Sequence, residues 1–490
     1  MNKEKFVGRL IIALVFVMIA AIAGQVRRMH NEEHGKLSVV SPTQERSGGM
    51  GWGSGSGCSV STQGYKSGEP EVLVRFKPSL SEEDIDDLTD GLNDVVEDRV
   101  EAVEGLTAID DLDNRDPAMV AAQYRALPEV LYAEPNYTIK LEPVADFNGR
   151  DGSRRVARAY VPHRENDSAA NDPMFGDQWA LDNTGQRDGS TGVDVRAIEA
   201  WKTTQGSRDV VVAVIDTGVN YVHPDLADNI WVRPANVPAY TDAELGDVDD
   251  RFGFNAIDNL RDPMDDNGHG SHCAGIIGAV GNNNIGIAGI NWQVQIMPLK
   301  FLSRTGSGNL KDAIEAINYV IERRKAGVPV SVISASWGST QRSKALEDII
   351  KKAGDAGILF IAASGNSSAN ADRRPHYPSN YPGVLSVAAL NRFGRLASFS
   401  NYGAKTVHVA APGAEIISTW LGGDYFEASG TSMATPYVAG VAGLVLAENP
   451  DFTTEELRAR LLDTVDKSDD LTGKVTSGGR INAAHAVAGK

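Results

Sequence analysis

From Asn171 onward the chain alternates short runs that are apolar throughout with longer segments of helical period, and this alternation constrains the fold more than any other feature. The runs are Val210–Ile215 (VVVAVI), Gln295–Leu299, Val330–Ile333 (VSVI), Ile358–Ala362 (ILFIA) and Val384–Ala388, while Asn309–Lys325 and Ser343–Ala356 carry helical patterns. A strand that is apolar on both sides has no face to offer water. The pattern therefore predicts an α/β architecture, a mostly parallel sheet with helices on both faces. In such sheets, ligands and reacting groups gather beyond the carboxyl ends of the strands. At 42% hydrophobic and 23% charged, the 490 residues can bury a sizeable core. Two cysteines, Cys58 and Cys273, exclude a disulfide-built scaffold.

Ahead of that domain the composition changes several times. Lys3, Lys5 and Arg9 precede an apolar run, Leu10–Ala23, that ends in a small-x-small pattern, Ala21-Ile22-Ala23. The run falls short of the ~20 residues that span a bilayer. Residues 1–23 read as a secretory signal peptide, with an uncleaved anchor as the other reading. Residues 24–68, with GGMGWGSGSG at their centre, read as a flexible Gly/Ser-rich linker. Residues 69–141 look globular again. Glu71–Phe76 reads as a strand, Ser81 with Asp84 as a capping-box helix start, Asp116-Pro117 as a second helix start, and Val130–Ala133 and Tyr137–Leu141 as closing strands. The outline is β-α-β-β-α-β, a small ferredoxin-like α+β domain. Residues 142–170, with Arg154, Arg155 and Arg158 among polar neighbours, read as an exposed processing linker, and residues 171–490 as the large domain.

The chain carries 65 acidic against 47 basic side chains, a formal net charge of −18, which argues against nucleic acid as a partner. Residues 69–141 alone hold 19 acids and 6 bases. Most of the excess therefore belongs to the small domain and says little about what the large one binds.

Three segments of the large domain carry candidate chemistry. The Val210–Ile215 run leads into Asp216-Thr217-Gly218. His269 stands between glycines in Asn267-Gly268-His269-Gly270-Ser271-His272-Cys273. Ser432 stands in Ser429-Gly430-Thr431-Ser432-Met433-Ala434-Thr435-Pro436, which opens a helix of small and apolar residues. Each has a plainer reading, as a turn aspartate, a buried histidine or a helix cap. Their order, Asp then His then Ser, is one of those in which serine-nucleophile triads occur. VIDTGV, GHGSHCAG and GTSMATP together resemble the three signatures of the subtilisin-like serine peptidases (subtilases), and the likeness extends through most of residues 171–490. Two departures are visible: Ser271 stands where the family more often has threonine, and an acidic loop lengthens the interval from Asp216 to His269.

The resemblance implies a serine endopeptidase that works through an acyl-enzyme and is secreted, extracellular or periplasmic. Ser432 would attack the scissile carbonyl, His269 would take its proton, and Asp216 would hold the imidazole. Asn366, just past the ILFIA run, matches the family's side-chain donor to the oxyanion. Gly306-Ser307-Gly308 and Ser336-Trp337-Gly338 resemble the edges that flank an extended peptide, and Ala363-Ser364-Gly365 one wall of the pocket for the side chain before the cut. His376 lies near the base of that pocket, and no residue preference follows from the sequence alone.

A structural calcium ion is the implied cofactor. Asp172, Asp225 and Asn283, with loop carbonyls at Gly281, Ile285 and Ile287, match a family site of hard oxygen ligands. Asp258 and Asp262 make a second candidate pair within the acidic loop from Asp242 to Asp266. Cys273 resembles the free buried cysteine of some relatives. Residues 69–141 resemble the family's N-terminal inhibitor-type propeptide, which assists folding and fills the cleft with its tail until it is cut. The implied partners are thus polypeptide substrates and the chain's own propeptide, with no stable membrane span after signal removal. Two other classes stay open: a catalytically silent subtilase-fold binding module, and a metallohydrolase using His269 and His272. A binder has no need of a full triad with Asn366. The metal reading lacks the Glu that metal-binding helices set between paired histidines.

Overall fold

The computed structural model describes residues 71–142, 154–155, 170–242, 246–257 and 262–489. The signal and Gly/Ser-linker readings, Cys58 and Asp258 lie outside these residues. Among the described residues, no helix is long and apolar enough to cross a membrane.

The small domain runs β1 (Val72–Phe76), α1 (Glu82–Asp90), β2 (Asp94–Arg99), β3 (Leu106–Asp111), α2 (Pro117–Arg125) and β4 (Val130–Pro135), giving an antiparallel sheet in the order β2-β3-β1-β4. The helix starts follow from local chemistry. Ser81 Oγ accepts the Asp84 N–H at 3.1 Å while the Asp84 carboxylate accepts the Ser81 N–H at 3.0 Å. Pro117 opens α2, where its missing N–H leaves no bond unmade. Along β1 the pleat sends Val72, Val74 and Phe76 into a core with Ile85, Val120 and Tyr124 of the two helices. Leu73 points the other way and, with Leu106 and Ala108 of β3, joins a core belonging to the large domain.

One expectation needs correction here. Tyr137–Leu141 does not close the small sheet: its strand, β5 (Thr138–Lys140), pairs antiparallel with Ser307–Asn309 of the large domain. The Asn136 N–H still reaches back to the Glu71 carbonyl (2.8 Å), and the chain departs after it. Five residues of extended pattern identify a strand, but nothing within them names the partner.

The large domain supplies β6 (Gly206–Asp216), β7 (Phe254–Asn255), α3 (His269–Gly278), β8 (Gln293–Lys300), β9 (Ser307–Asn309), α4 (Leu310–Lys325), β10 (Val330–Ala335), α5 (Lys344–Asp355), β11 (Leu359–Ala363), β12 (Leu385–Leu390), β13 (Val409–Pro412), α6 (Thr431–Glu448), β14 (Asp466–Lys467) and β15 (Gly479–Arg480). The central sheet has the order β7-β8-β6-β10-β11-β12-β13-β15-β14 and is parallel except between β15 and β14. Both faces are covered, as the apolar runs require. Val210, Val212 and Val214 of β6 pack with Cys273, Ile277, Val438 and Val441 of α3 and α6. Val211, Ala213 and Ile215 pack on the other face with Ile314, Ile317 and Ile349 of α4 and α5. Each such side chain, fully buried, contributes about 1.5–3 kcal/mol. Asn309 and Ser343 cap α4 and α5 by accepting the N–H groups of Asp312 (2.8 Å) and Leu346 (2.9 Å).

Register sets the level of the site. Ile215 of β6 pairs with Ala335 of β10, and Ala335 with Ala362 of β11. The residues that follow, Asp216, Ser336 and Ala363, therefore emerge side by side at the carboxyl edge.

Candidate active site

Asp216, the last residue of β6, is fully buried, and its Oδ1 lies 2.8 Å from Nδ1 of His269 in the first turn of α3. Burial pushes the His269 imidazole toward its neutral form, but the charge of Asp216 and the bond to it outweigh burial and hold its pKa above the ordinary value, with Asp265 assisting. Ser432 stands in the first turn of α6, where backbone N–H groups have no partner within the helix. Its carbonyl accepts from Ser336 Oγ (2.8 Å) and from Cys273 Sγ on α3 (3.5 Å), which ties the two helix heads together. The Ser432 hydroxyl donates to the Ser336 carbonyl at 3.0 Å.

A buried carboxylate of the acidic loop, not singled out in the sequence, organises this arrangement. Asp265 accepts from Thr217 Oγ1 (2.8 Å), from the N–H groups of Asn267, Gly268 and Ser271 (2.9 Å each) and from Ser271 Oγ (2.6 Å). Thr217 Oγ1 in turn accepts the Gly270 N–H (2.9 Å), and Ser271 Oγ accepts the Asn220 N–H (2.8 Å). Serine at 271 thus preserves the hydroxyl that threonine would supply. Gly270 is required by space, since a Cβ there would lie 2.0 Å from the Gly218 carbonyl oxygen. Lys300, also missed, buries its ammonium against the Thr217 and Leu302 carbonyls (2.8 Å each) and Asp266 (2.7 Å).

His272 takes no part. Its Nε2 lies 3.1 Å from the Ile416 carbonyl and 3.0 Å from that of Phe426, so this nitrogen carries a proton and donates it. Burial, and secondarily His269, hold its pKa down at about 3. Among the described residues, the one set of His, Cys, Asp and Glu close enough to share a metal ion is Asp216, His269 and Cys273. In that set burial pushes the Cys273 thiol well up, which leaves it a neutral donor to Ser432. The geometry gives the His269/His272 metal pair no support.

Asn366 follows β11. Its Oδ1 accepts from both the N–H (2.8 Å) and the Oγ1 (2.9 Å) of Thr431, the residue before Ser432, which fixes the amide and leaves its NH₂ group as the outward donor. Across the groove, β5 pairs with β9: Thr138 with Asn309, Ile139 with Gly308, and Lys140 with Ser307. The Leu141 N–H extends the ladder to the Gly306 carbonyl (2.8 Å). This is β-augmentation by the chain's own tail. Ile139 is buried in a pocket lined by Leu310, Trp337, Leu346 and Tyr377, of which only Trp337 was named in advance. Trp337 is itself buried, donating to the Ile215 carbonyl (2.9 Å). The described ladder joins the tail to the Gly306–Asn309 edge and not to Ser336–Gly338.

The calcium candidates also converge. The two oxygens of Asp172 accept the N–H groups of Asn282 (2.8 Å) and Asn283 (3.2 Å), and Asp225 accepts from Asn283 Nδ2 (2.8 Å), the Ile287 N–H (2.9 Å) and the Tyr425 hydroxyl (3.1 Å). Both carboxylates are buried. Burial chiefly, with repulsion from Asp172, raises Asp225 to about 7, and burial raises Asp172 as well. Two buried carboxylates that repel each other fit a hard dication, while Asn283 turns its Nδ2 to Asp225 and its Oδ1 to the Ile285 N–H (2.7 Å). In the acidic loop, Asp262 accepts from the Tyr221 hydroxyl and the Met264 N–H (3.0 Å each).

Against known proteins, the Subtilase family model matches residues 207–479, and the Fervidolysin N-terminal prodomain model matches residues 59–136. The thermophilic serine proteinase of Bacillus sp. (strain AK1) is 35% identical over 427 residues, covering 85% of this chain and 87% of that protein. Thermitase of Thermoactinomyces vulgaris is 36% identical over 293 residues, covering 60% of this chain and 93% of its own. A solved protease from Pseudoalteromonas arctica superposes with a TM-score of 0.55 at 30% identity, over 66% of this chain and 99% of that one. The chain belongs to the subtilase family of serine peptidases and carries the prodomain typical of a zymogen. It is a serine endopeptidase.

Proposed function

We propose that the chain is a secreted, self-processing zymogen whose catalytic triad is Ser432, His269 and Asp216, with Asn366 Nδ2 and the Ser432 N–H as the oxyanion hole. The observation that carries this reading is the pairing of His269 with Asp216 at the head of α3, bound through Cys273 to the Ser432 carbonyl at the head of α6. As Ser432 Oγ bonds to the scissile carbon, His269 Nε2 takes the hydroxyl proton, and the carbonyl electron pair moves onto oxygen between the two donors. Collapse breaks the C–N bond, and His269 passes its proton to the departing nitrogen. A water then repeats the cycle: its proton goes to His269, its oxygen to the acyl carbon, and the proton finally returns to Ser432. Asp216 holds Nδ1–H throughout and favours the imidazolium. The prodomain tail, already paired along β9, acts as an intramolecular inhibitor, and polypeptides take its place after release.

Asp172, Asp225 and Asn283, with the carbonyls of Gly281, Ile285 and Ile287, would hold a structural calcium. Bound there, the ion supplies the positive charge that two buried carboxylates otherwise lack. Labelling the processed protein with a serine-directed phosphonofluoridate tests the nucleophile: mass spectrometry should find the adduct on Ser432, with activity lost in step. Persistent activity beside an unmodified Ser432 would sink the serine mechanism.

A further inference from the structure

Beyond Leu141 the tail places Glu142 against the pocket wall. One carboxylate oxygen accepts the backbone N–H of Asn366, and the other lies 3.3 Å from Nε2 of His376. His376 is 3% exposed, and its ring lies between glycines from both sides of the pocket. A Cβ on Gly338 would fall 2.2 Å from His376 Cε1, and one on Gly365 would fall 3.1 Å from Nε2. Both glycines therefore leave the room the imidazole fills. The ring is steadied from behind: Nδ1 lies 3.4 Å from Ser379 Oγ, which donates to the His376 carbonyl (2.8 Å), and the His376 N–H donates to Asn380 Oδ1 (3.2 Å). Asn401 braces the facing wall through the Ser364 carbonyl (Nδ2, 2.8 Å) and the Gly365 carbonyl (N–H, 2.8 Å). Apart from Glu142, Nε2 has no hydrogen-bond partner among the described residues. A nitrogen so deeply buried needs a hydrogen-bond partner from whatever enters the pocket.

Resting on the serine-peptidase reading of the site, we propose that this enzyme selects a glutamate immediately before the bond it cuts, its carboxylate read by His376 and by the Asn366 backbone N–H. Burial works against ionising Glu142, yet His376 and the Asn366 N–H outweigh it and hold the carboxyl below its usual range. A leucine or phenylalanine side chain in the same place would leave both donors facing hydrocarbon. Glutamine matches glutamate in size but brings a neutral acceptor, and aspartate is one methylene short of the reach that Glu142 uses. Ile139, buried in its own pocket three residues earlier, supplies the second anchor.

The test compares kcat/KM of the mature enzyme on blocked fluorogenic tetrapeptides Ile-Lys-Leu-Xaa, where Xaa is Glu, Gln, Asp, Leu or Phe. Glu should exceed Gln and Leu by about 10- to 100-fold, the range expected when a charge-assisted hydrogen bond is lost. The preference should vanish in His376→Gln and His376→Leu, read as the ratio of kcat/KM for the Glu peptide to that for the Leu peptide within each variant. His376→Gln keeps the size and polarity of the site, so at least one variant should fold. Equal or better cleavage after Leu or Gln overturns the proposal while leaving the peptidase reading intact. A glutamate preference that survives both variants removes His376 from the role. Failure to cleave any of the five, with no phosphonofluoridate adduct on Ser432, would instead refute the active-site reading beneath it.

Discussion

Strands β1 and β6 obey the same two-residue period, but their surroundings differ. The inward residues of β6 are covered within their own domain, by α3 and α6 on one face and by α4 on the other. On β1 only one face has that privilege, and Leu73 on the other face is covered by the large domain. Around this shared apolar face, polar and charged contacts also join the two domains. Arg75 and the Tyr132 hydroxyl (2.9 Å) meet Asp348, Ala102 N–H meets Asn318 (3.0 Å), and Lys311 N–H meets Asn136 (2.9 Å). The Glu134 carboxylate accepts the first N–H groups of α5, from Lys344 (2.9 Å) and Ala345 (3.0 Å), where the helix field favours an anion. One core is complete in itself, while the other is complete only when docked. Contacts of this kind hold a domain in place and yet can be exchanged for water.

The sharpest challenge to this division is Ser432→Ala. It should lower kcat by about 10⁴-fold or more, and the chain should persist with residues 69–141 attached, seen by N-terminal sequencing. Normal maturation of that variant would mean that another protease cuts the linker. Asn366→Ala should reduce kcat by about 10²–10³-fold with little change in KM, measured on any cleaved peptide. Calcium removal probes the permanent core. If the ion is present at about a hundred times its Kd, chelation should withdraw about 2.7 kcal/mol and lower the Tm by about 5 °C, and Asp225→Asn should abolish the difference. The borrowed core should respond to Glu134→Ala: in the Ser432→Ala background, amide exchange in β1–β4 should accelerate by about 10-fold as one charge-assisted contact is lost. Unchanged exchange would show that the apolar face alone secures the small domain.

The smallest expected effect is one of pH. Burial, then Asp98 and, more weakly, Asp242 and Glu101, push the Glu315 carboxyl on α4 well up, with Lys311 opposing. Asp98 and Glu101 belong to the small domain, so docking raises this pKa and the docked state binds the extra proton. Docking is then strongest at low pH and weakens as pH rises through the raised value. Asp348 works in the opposite sense: burial opposes its ionisation, but Lys344, Tyr132 and Arg75 hold it low, so its contribution fades only as pH falls. After division by the intrinsic base-catalysed rate, amide exchange of the small domain should quicken a few-fold per pH unit on the alkaline side, and Glu315→Gln should flatten that slope.

Much of the large domain was legible because its signals are local. The apolar runs fixed β6, β10 and β11 to within a few residues, and the capping residues Asn309 and Ser343 marked where α4 and α5 begin. Asp216, His269, Ser432 and Asn366 were singled out through motifs; the sheet type set Asp216 and Asn366 at or just past strand ends, while His269 and Ser432 stand in the first turns of helices. What could not be read depends on distant partners. Asp265 looked like one acid among nine between Asp242 and Asp266, since only folding aims the Asn267, Gly268 and Ser271 amides at it. Lys300 reads as the end of a strand until the Thr217 carbonyl arrives. The β5 tail showed its conformation but not its destination. His376 showed its neighbourhood but not the carboxylate it would meet.

The shared face of the small sheet bears on the direction of time in this molecule. Once Leu73, Leu106 and Ala108 lose their cover, the freed fragment is a short chain with half of its packing gone, the size range in which folds are marginal. Its unfolded fraction then meets an active endopeptidase in the same solution. On the proposed maturation route, each digested copy would leave the equilibrium for good, and re-inhibition would fade as activation proceeds. A reversible contact would then become a ratchet, because what is released would not survive to return.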